Sequence, residues 1–166
     1  MSVSADVVLR APEPGEIKAL DALCFRSKAH WGYDADFMEL CRPVLHVDPE
    51  AIGQGRVQVA EIDGAIAGVA QFTVDRVNAE LDLLFVDPDH MGKGVGRALF
   101  EWACVTSRSQ RAARLHILSD PDARGFYEKM GADYQGDEPS DAIPDRMLPR
   151  FRKELFAMMR VNIKRG

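Results

Sequence analysis

The sequence contains little cysteine and no recognisable cysteine pattern. Its 166 residues include three cysteines, Cys24, Cys41 and Cys104. Because they are widely spaced and form no C-x-x-C pair, the sequence signals neither a disulfide framework nor a zinc site. We interpret all three as small core residues.

Long apolar runs and an excess of positive charge are also missing. No apolar run approaches the roughly 18 residues of a membrane span. The first residues, MSVSADVVLR, lack the basic-then-apolar layout of a secretory signal. The formal net charge of −5 argues against general attraction to nucleic acid or to an anionic membrane. We therefore expect a cytoplasmic protein whose partner is a small molecule, with no nucleic acid and no membrane.

Two catalytic signatures are absent as well. The histidines show no H-E-x-x-H pattern, and Ser119 does not lie in a G-x-S-x-G elbow. The sequence thus favours neither a metal site nor a serine hydrolase.

What the chain does contain is a regular succession of amphipathic segments. A length of 166 residues, of which 46% are hydrophobic, is typical of one compact domain, here residues 1–166. The segment ADVVLRAP predicts a strand, followed by a helix starting near Pro14 and a short helix over Asp34 to Cys41. Two strands then alternate around Asp63-Gly64, a pair that tolerates the positive φ angles of a tight hairpin turn.

The second half of the chain continues this succession. A strand at NAELDLLFV leads through DPDHMGKGVGRAL into a long amphipathic helix. The strand ARLHILS precedes a helix that begins at Asp120-Pro121 and ends at Gly131, and the tail from ADYQG to RFRKELFAM predicts two last strands. The order β-α-α-β-β-β-α-β-α-β-β predicts a single-domain α/β (α+β) fold, with a mixed, mostly antiparallel sheet flanked by helices.

Three glycines on alternate residues, Gly92, Gly94 and Gly96, precede the long helix. They expose the backbone, and the first amides of a helix point outward without an internal partner. The helix dipole and the cations Lys93 and Arg97 add positive charge, so the segment suits a phosphate or pyrophosphate. Its spacing matches neither a P-loop nor a dinucleotide fingerprint. A glycine-rich turn without a ligand is the alternative.

Two segments resemble those of one known family. LLFVDPDHMGKGVGRALFEWA is similar to the strand, pyrophosphate loop and helix of the GNAT superfamily of acetyl-CoA-dependent N-acetyltransferases, and DPDARGFYEKMGA is similar to its second cofactor helix. With the helix-helix-hairpin order upstream, the resemblance covers most of the chain and implies a GNAT-like fold.

The resemblance implies that acetyl-CoA is the acyl donor. It implies backbone contacts to the pantetheine arm from Leu84, Phe85 and Val86, and a pyrophosphate cradle of Gly92, Lys93, Gly94, Val95, Gly96 and Arg97. Asp120 is assigned to the cofactor site too. Met91 stands where the family usually has Arg or Gln, and Asp120 where it often has Asn. An anion at Asp120 would weaken cofactor binding unless helix capping uses it.

Acyl transfer from a thioester to an amine needs a proton acceptor, because an alkylamine with a pKa of about 10.4 is mostly protonated at neutral pH. Glu80 and Asp82 lie two residues apart in a strand, so both side chains point to one face. The resemblance puts the general base near Glu80, and we assign Asp82 to acceptor binding. Asp82 as the base, a water relay and a merely solvated strand face are the alternatives.

The departing thiolate benefits from a proton donor. Tyr127 in GFYEKMG matches the family tyrosine that reaches the thioester sulfur, which makes it the second catalytic residue. An ordinary core stripe of Ala123, Phe126, Tyr127 and Met130 at helical spacing is the alternative.

The segment SKAHWGYDADF, residues 27–37, is expected to form a loop between the first two helices. In the family this connection borders the acceptor pocket. We expect Trp31 and Tyr33 to stack on the acceptor, and Ser27 and His30 to make polar contacts. A Trp31 that packs beneath the loop is the alternative. The tail loop GDEPSDAIPDR is a candidate for the opposite wall, where its acidic residues favour a cation and Arg146 favours a carboxylate.

The chain is thus expected to be an N-acetyltransferase that uses acetyl-CoA, without a metal, on a primary amine of an unidentified small molecule, amino acid or peptide. A non-catalytic acyl-CoA-binding or sensing module is the alternative from another class, and thioester hydrolysis is a weaker catalytic one. A homodimer is common among similar proteins.

Overall fold

Seven strands form a single sheet in the structure, a computed structural model that describes residues 6–155. In chain order they are β1 (Val7–Arg10), β2 (Val57–Ile62), β3 (Ala65–Asp75), β4 (Asn78–Val86), β5 (Arg114–Leu118), β6 (Asp133–Pro139) and β7 (Met147–Glu154). Across the sheet the order is β1-β2-β3-β4-β5-β7-β6, and β4 pairs with β5 in parallel while all other pairs are antiparallel. The mixed, mostly antiparallel sheet is confirmed. Ala5 and residues 156–158, which the predicted first and last strands include, lie outside the described residues.

In the described part of the chain, five α-helices connect the strands: α1 (Ile17–Ala29), α2 (Ala35–Cys41), α3 (Pro49–Gly53), α4 (Val95–Ser109) and α5 (Arg124–Lys129). The sequence analysis missed α3, which is a single turn that starts at Pro49 and is capped by the Asp48 carboxylate. A turn this short has no apolar repeat to detect. Within residues 6–155, no helix is both long and apolar enough to cross a membrane.

The end of α1 corrects one prediction. Ser27 and Lys28 belong to the last turn of this helix, so the connection to α2 is only residues 30–34. Asp34 ends the connection by accepting a hydrogen bond from the Phe37 amide at the start of α2. The connection is therefore about half as long as expected, and Ser27 is a buried residue of α1.

The helices cover both faces of the sheet. On β2 and β3, Val59 and Val69 pack with α1 and α2, whereas the adjacent Ala60 and Ala70 pack under α4. This alternation follows from the two-residue repeat of a strand. The three cysteines are buried and free, which confirms that they are core residues.

The middle of β4 contains a bulge. Leu81 pairs with Phe72 of β3, and Leu83 pairs with the next residue, Gln71, so Asp82 is an extra residue in the ladder. The bulge reverses the alternation of side chains: Leu81 packs in the cluster beneath α4, and Leu83 packs in the cluster beneath α1. Asp82 thus lies at the point where the strand changes face.

The two parallel strands separate just beyond this bulge. Pairing between β4 and β5 covers Asn78–Leu81 opposite Arg114–Ile117. From Leu83 to Val86, β4 stays paired with β3 on its other side. One backbone edge of this stretch therefore has no strand beside it within the described structure, and a gap opens between β4 and β5.

Candidate active site

A cleft of about 1020 Å³ occupies the gap between β4 and β5. Its walls come from α1, the end of β4, the start of α4, the end of β5, α5 and the connection between β6 and β7. The predicted site residues that line it are Ser27, Trp31, Glu80, Asp82, Leu84, Phe85, Val86, Gly92, Gly94, Val95, Gly96, Arg97, Asp120 and Tyr127. Within the described structure, Lys93, His30 and Tyr33 are not among the lining residues. The fold thus brings most of the predicted site together.

Two glycines shape the turn before α4. Gly92 and Gly94 have φ angles of 78° and 84°, the left-handed region in which a side chain is strained. A Cβ on either would meet no atom of the described structure within 4 Å. Their missing side chains therefore leave space beside the backbone.

The start of α4 is left open to a ligand. Gly94 is the N-cap and supplies no capping side chain, whereas Asp34 and Asp48 cap α2 and α3 with their carboxylates. The first paired amide is that of Ala98, so the three amides before it, from Val95 onward, have no partner in the helix. Amides that point outward at the positive end of a fifteen-residue helix form an anion site.

Gly96 lines the cleft and also allows close helix packing. A Cβ on this residue would lie 3.2 Å from Cε1 of Phe126, so the space is already filled by α5. The glycine lets α4 and α5 approach each other. Gly68 on β3 does the same for α4 and the sheet, because a Cβ there would lie 2.7 Å from Cγ1 of Val95. Nothing local in the sequence distinguishes these packing glycines from the loop glycines.

Glu80 is held by an ion pair that the sequence did not reveal. Arg150 Nη1 lies 2.9 and 2.7 Å from the two Glu80 oxygens, and the same guanidinium donates to Glu138 through Nε and Nη2 at 3.0 and 2.8 Å. Glu80 is therefore not a free carboxylate. Burial raises the pKa of the Glu80 carboxyl more than the Arg150 charge and hydrogen bonds lower it.

Asp82 has much weaker partners. Its closest donor is the Thr73 hydroxyl, at 3.4 Å. Water reaches the carboxylate through the cleft, but the cleft walls remove part of its hydration shell. This burial is the main reason that the pKa of Asp82 rises to about 6, against the smaller opposite effects of hydrogen bonds from Thr73 and Gln71. Asp82 is therefore a carboxylate with an elevated pKa and no ion pair among the described residues.

Tyr127 belongs both to the core and to the cleft. Its ring is buried against Phe100, Phe126 and Phe151, at centroid distances of 5.9, 5.1 and 6.0 Å. It also lines the cleft, and no side chain among the described residues bonds to its hydroxyl. Burial, and then the negative charge of Asp120, raise the pKa of this hydroxyl above its usual value. The hydroxyl stays protonated at neutral pH and has a proton to donate.

Asp120 is the centre of a polar network. Its carboxylate accepts hydrogen bonds from Lys28 Nζ at 2.9 Å, from the Tyr33 hydroxyl at 2.9 Å and from the Asp122 amide at 3.0 Å. Burial alone would raise the pKa of Asp120, but these hydrogen bonds and the Lys28 charge lower it overall. Asp120 thus caps the helical turn that follows it, as the sequence analysis considered. Its negative charge is also neutralised by Lys28 of α1.

The acceptor wall differs in part from its prediction. Trp31 is 47% exposed and lines the cleft, so it is not an anchor beneath the loop. His30 stacks edge-on against Trp31 at 5.6 Å. Tyr33 lies flat on Phe37 at 4.1 Å, so one face of its ring is already occupied. His30 and Tyr33 are not among the lining residues of the cleft in the described structure, but the Tyr33 hydroxyl bonds to Asp120 and Arg146, which do line it.

No group of three His, Cys, Asp or Glu side chains within residues 6–155 is arranged to hold a metal ion.

Comparison with known proteins agrees with this geometry. A family model described as an acetyltransferase (GNAT) domain matches residues 53–131, the part that contains β4, the glycine turn and α5. The chain is 28% identical over 134 residues to the 5-NmdU N-acetyltransferase of Pseudomonas phage PaMx11, and the match covers 79% of this chain and 90% of that protein.

Two solved structures share the fold. One is the PaiA N-acetyltransferase of Thermoplasma acidophilum in complex with coenzyme A, with a TM-score of 0.72 at 14% identity over 90% of this chain and 99% of that chain. The other is a GCN5-related N-acetyltransferase of Rhodopseudomonas palustris, with a TM-score of 0.75 at 19% identity over 93% of this chain and 99% of that chain. Residues 53–131 thus match a GNAT acetyltransferase domain, and the chain shares the fold of solved GNAT N-acetyltransferases.

Proposed function

We propose that the cleft between β4 and β5 carries out acetyl transfer to a primary amine, with Asp82 as the proton acceptor and Tyr127 as the proton donor. The observation that supports this proposal is the position of Asp82, at the bulge where the open edge of β4 begins and without an ion pair. The protein is proposed to act in the cytoplasm on a small acceptor, because its net charge of −5 disfavours nucleic acid and anionic membranes.

The residues of the cleft fit acetyl-CoA, which supplies an acetyl group activated as a thioester. The unpaired amides at the start of α4, with Lys93 and Arg97 beside them, would hold the pyrophosphate. The open edge of β4 offers backbone groups at Leu84, Phe85 and Val86 to the pantetheine arm. Asp120 does not repel the cofactor strongly, because Lys28 neutralises its charge.

Asp82 is a better proton acceptor than Glu80. The Arg150 guanidinium occupies both Glu80 oxygens, and proton uptake by Glu80 would weaken that ion pair. Asp82 has no such pair to lose, and its pKa of about 6 leaves it mostly ionised at neutral pH. A raised pKa also makes it a stronger base than an ordinary aspartate. Glu80 is then a positioning residue, because it holds Arg150 of β7, which also pairs with Glu138 of β6.

The proton balance of the reaction uses both groups. Asp82 takes a proton from the acceptor ammonium, so that the amine nitrogen can form a bond to the acetyl carbonyl carbon. Tyr127 gives its hydroxyl proton to the sulfur as the carbon–sulfur bond breaks. The second nitrogen proton leaves through water in the cleft and replaces the proton that Tyr127 gave, and Asp82 releases its proton to water, so that one proton is lost overall. Neither step needs a metal or an oxidant.

An acceptor screen tests this function. Purified protein is incubated with acetyl-CoA and a library of primary amines. The library includes 5-NmdU, after which the similar phage enzyme is named. Release of thiol and mass spectrometry of the acceptor are followed together. Acetylation of at least one amine supports the proposal. Tight CoA binding with no acetylated amine would favour a binding or sensing module, and thiol release without acetyl-amine would indicate thioester hydrolysis.

A further inference from the structure

Two partly buried cations in the cleft share a single carboxylate. Asp120 Oδ2 lies 2.9 Å from Lys28 Nζ and 3.8 Å from Arg146 Nη2. The three side chains are only 13%, 16% and 18% exposed for Lys28, Asp120 and Arg146. Among the described residues, Asp120 is the carboxylate that pairs with either cation. The cluster therefore holds more positive than negative charge away from bulk water.

Buried positive charge without a counter-charge is unfavourable unless something offsets it. Two aromatic rings offset part of it, because Arg146 lies 5.1 Å from the Tyr33 ring centroid and 4.8 Å from that of Phe37. Lys28 lies over the same rings, at 5.2 and 5.8 Å. The rings also fix the positions of both cations before any ligand arrives.

Arg146 keeps most of its hydrogen-bonding capacity. Within the described structure its guanidinium makes one hydrogen bond, from Nη2 to the Tyr33 hydroxyl at 2.8 Å. A guanidinium has about five N–H groups in a planar fork that matches a carboxylate or a phosphate. Arg146 and Lys28 both line the cleft, together with the hydroxyl residues Ser27 and Ser140. An anionic group entering the cleft would find oriented donors on this wall.

The acidic residues of the same loop do not cancel this charge. Glu138 is paired with Arg150, and Asp137 accepts a hydrogen bond from the Tyr134 hydroxyl. Asp141 lines the cleft, but Asp141 and Asp145 are both exposed, so that water screens their charges. The acidic residues of this loop favour a bound cation and Arg146 favours a bound anion. Because the acidic residues are paired or screened, this wall favours an anion.

We propose that the acetyl acceptor is a primary amine that also carries an anionic group, a carboxylate or a phosphate, and that Arg146 and Lys28 bind this group. The proposal rests on the acetyl-transfer function proposed above. Asp82 lies in the same cleft and attracts the ammonium, so a zwitterionic acceptor is oriented at both ends. The cofactor pyrophosphate does not need these cations, because the glycine turn, Lys93 and Arg97 lie at the start of α4.

Matched acceptor pairs test the proposal. Each pair differs only in the anionic group: β-alanine with β-alaninamide for a carboxylate, and phosphoethanolamine with ethanolamine for a phosphate. Because a hydrogen bond to a charged group contributes about 1.5–3 kcal/mol, we expect kcat/KM to favour the anionic member of at least one pair by about 10- to 100-fold. The pair that shows the preference identifies whether the site binds a carboxylate or a phosphate.

Two variants of the arginine locate the effect. Arg146→Gln should bring the selectivity ratio close to one, mainly by raising KM for the anionic acceptor, and Arg146→Lys should retain part of it. Arg108→Gln is the matched control, because Arg108 lies in the last turn of α4 and does not line the cleft in the described structure. Unfolding temperature and CoA affinity are measured for each variant.

The outcomes separate this inference from the proposed function. Equal kcat/KM within both pairs, or a preference for neutral or dicationic amines, overturns the inference and leaves acetyl transfer intact. A preference for anionic acceptors that survives Arg146→Gln overturns the assigned residues. If that variant does not fold, the wild-type selectivity and the Lys28→Gln variant still decide. Failure to acetylate any amine removes the proposed function and this inference with it.

Discussion

Asp82 and Glu80 have the same charge and lie on one strand, but their surroundings give them different properties. Arg150 binds both oxygens of Glu80, whereas Asp82 faces the cleft with the Thr73 hydroxyl at 3.4 Å. Periodicity predicted that the two carboxylates share a face. It could not show the arginine, which is 70 residues further along the chain.

Replacement of each carboxylate by its amide separates the two roles. We expect Asp82→Asn to lower kcat by about 10²-fold or more, which is the usual contribution of a positioned base. Glu80→Gln should lower it less, and should lower the unfolding temperature because Arg150 loses a partner. Acetyl-CoA affinity, measured by calorimetry, should stay the same for Asp82→Asn. A larger kcat loss for Glu80→Gln than for Asp82→Asn would return the base to Glu80.

The pH dependence follows from the pKa of Asp82. Because the base must be ionised, kcat/KM should fall as the pH drops through about 6, and Asp82→Asn should abolish this inflection. The folded-state pKa lies above that of the unfolded chain, so ionised Asp82 reduces stability at neutral pH. This penalty disappears below the unfolded pKa. Asp82→Asn is therefore expected to unfold at the same or a higher temperature, measured at pH 7.5. A clear fall in that temperature would show that Asp82 supports the fold.

Tyr127→Phe tests the proton donor. The ring and its packing against Phe100, Phe126 and Phe151 remain, and only the hydroxyl is lost. We expect kcat to fall by about 10- to 100-fold with KM unchanged, because the hydroxyl acts as charge develops on sulfur. The unfolding temperature should barely change. A normal kcat would leave Tyr127 as a core aromatic, and a large loss of stability would point to a buried hydrogen-bond partner.

At the scale of elements, the glycine turn before α4 was the most informative part of the sequence. Its spacing predicted an anion site, and the structure shows an uncapped helix start with two glycines at positive φ. The bulge in β4 could not be predicted, because one extra residue in a ladder depends on pairing with β3. The close contact of Gly96 with Phe126 could not be predicted either, because it depends on how α4 and α5 pack.

A pair of glycine variants distinguishes ligand binding from backbone strain. Gly94→Val places a branched side chain where the pyrophosphate is proposed to lie, and Gly55→Val is the matched control. Both glycines have positive φ, 84° and 71°, and a Cβ on either meets no described atom within 4 Å. Each variant should lose about 1–2 kcal/mol of stability from the left-handed backbone. CoA affinity should be lost only in Gly94→Val, as measured by calorimetric titration. Equal CoA affinity in the two folded variants would mean that the turn does not hold the cofactor.

At the scale of the whole molecule, the cleft is built from segments that are far apart in sequence. Lys28 and Asp120 are 92 residues apart, and Tyr33 and Arg146 are 113 apart, yet all four meet in one network. The order of elements was readable because each element has its own apolar period. The network was not, since no local pattern links residues at such separations.

Because the cleft exists only in the folded protein, acetyl-CoA binding is expected to raise the free energy of unfolding. Acetyl-CoA at about 100 times its Kd should stabilise the fold by about 2.7 kcal/mol, which corresponds to a rise in unfolding temperature of roughly 5–10 °C for a chain of this size. Thermal unfolding with and without acetyl-CoA measures it. Gly94→Val should show no rise, and a wild-type protein that shows none would contradict cofactor binding in the cleft.

The most direct test of acetyl transfer in this cleft is a single assay on the wild-type protein. Acetyl-CoA is mixed with a library of primary amines that includes the charged and neutral matched pairs, and each acceptor is examined for a covalent acetyl group by mass spectrometry. We predict that at least one primary amine is acetylated, with one equivalent of thiol released for each acetyl group gained. Saturable CoA binding without acetylation of any amine would contradict this account.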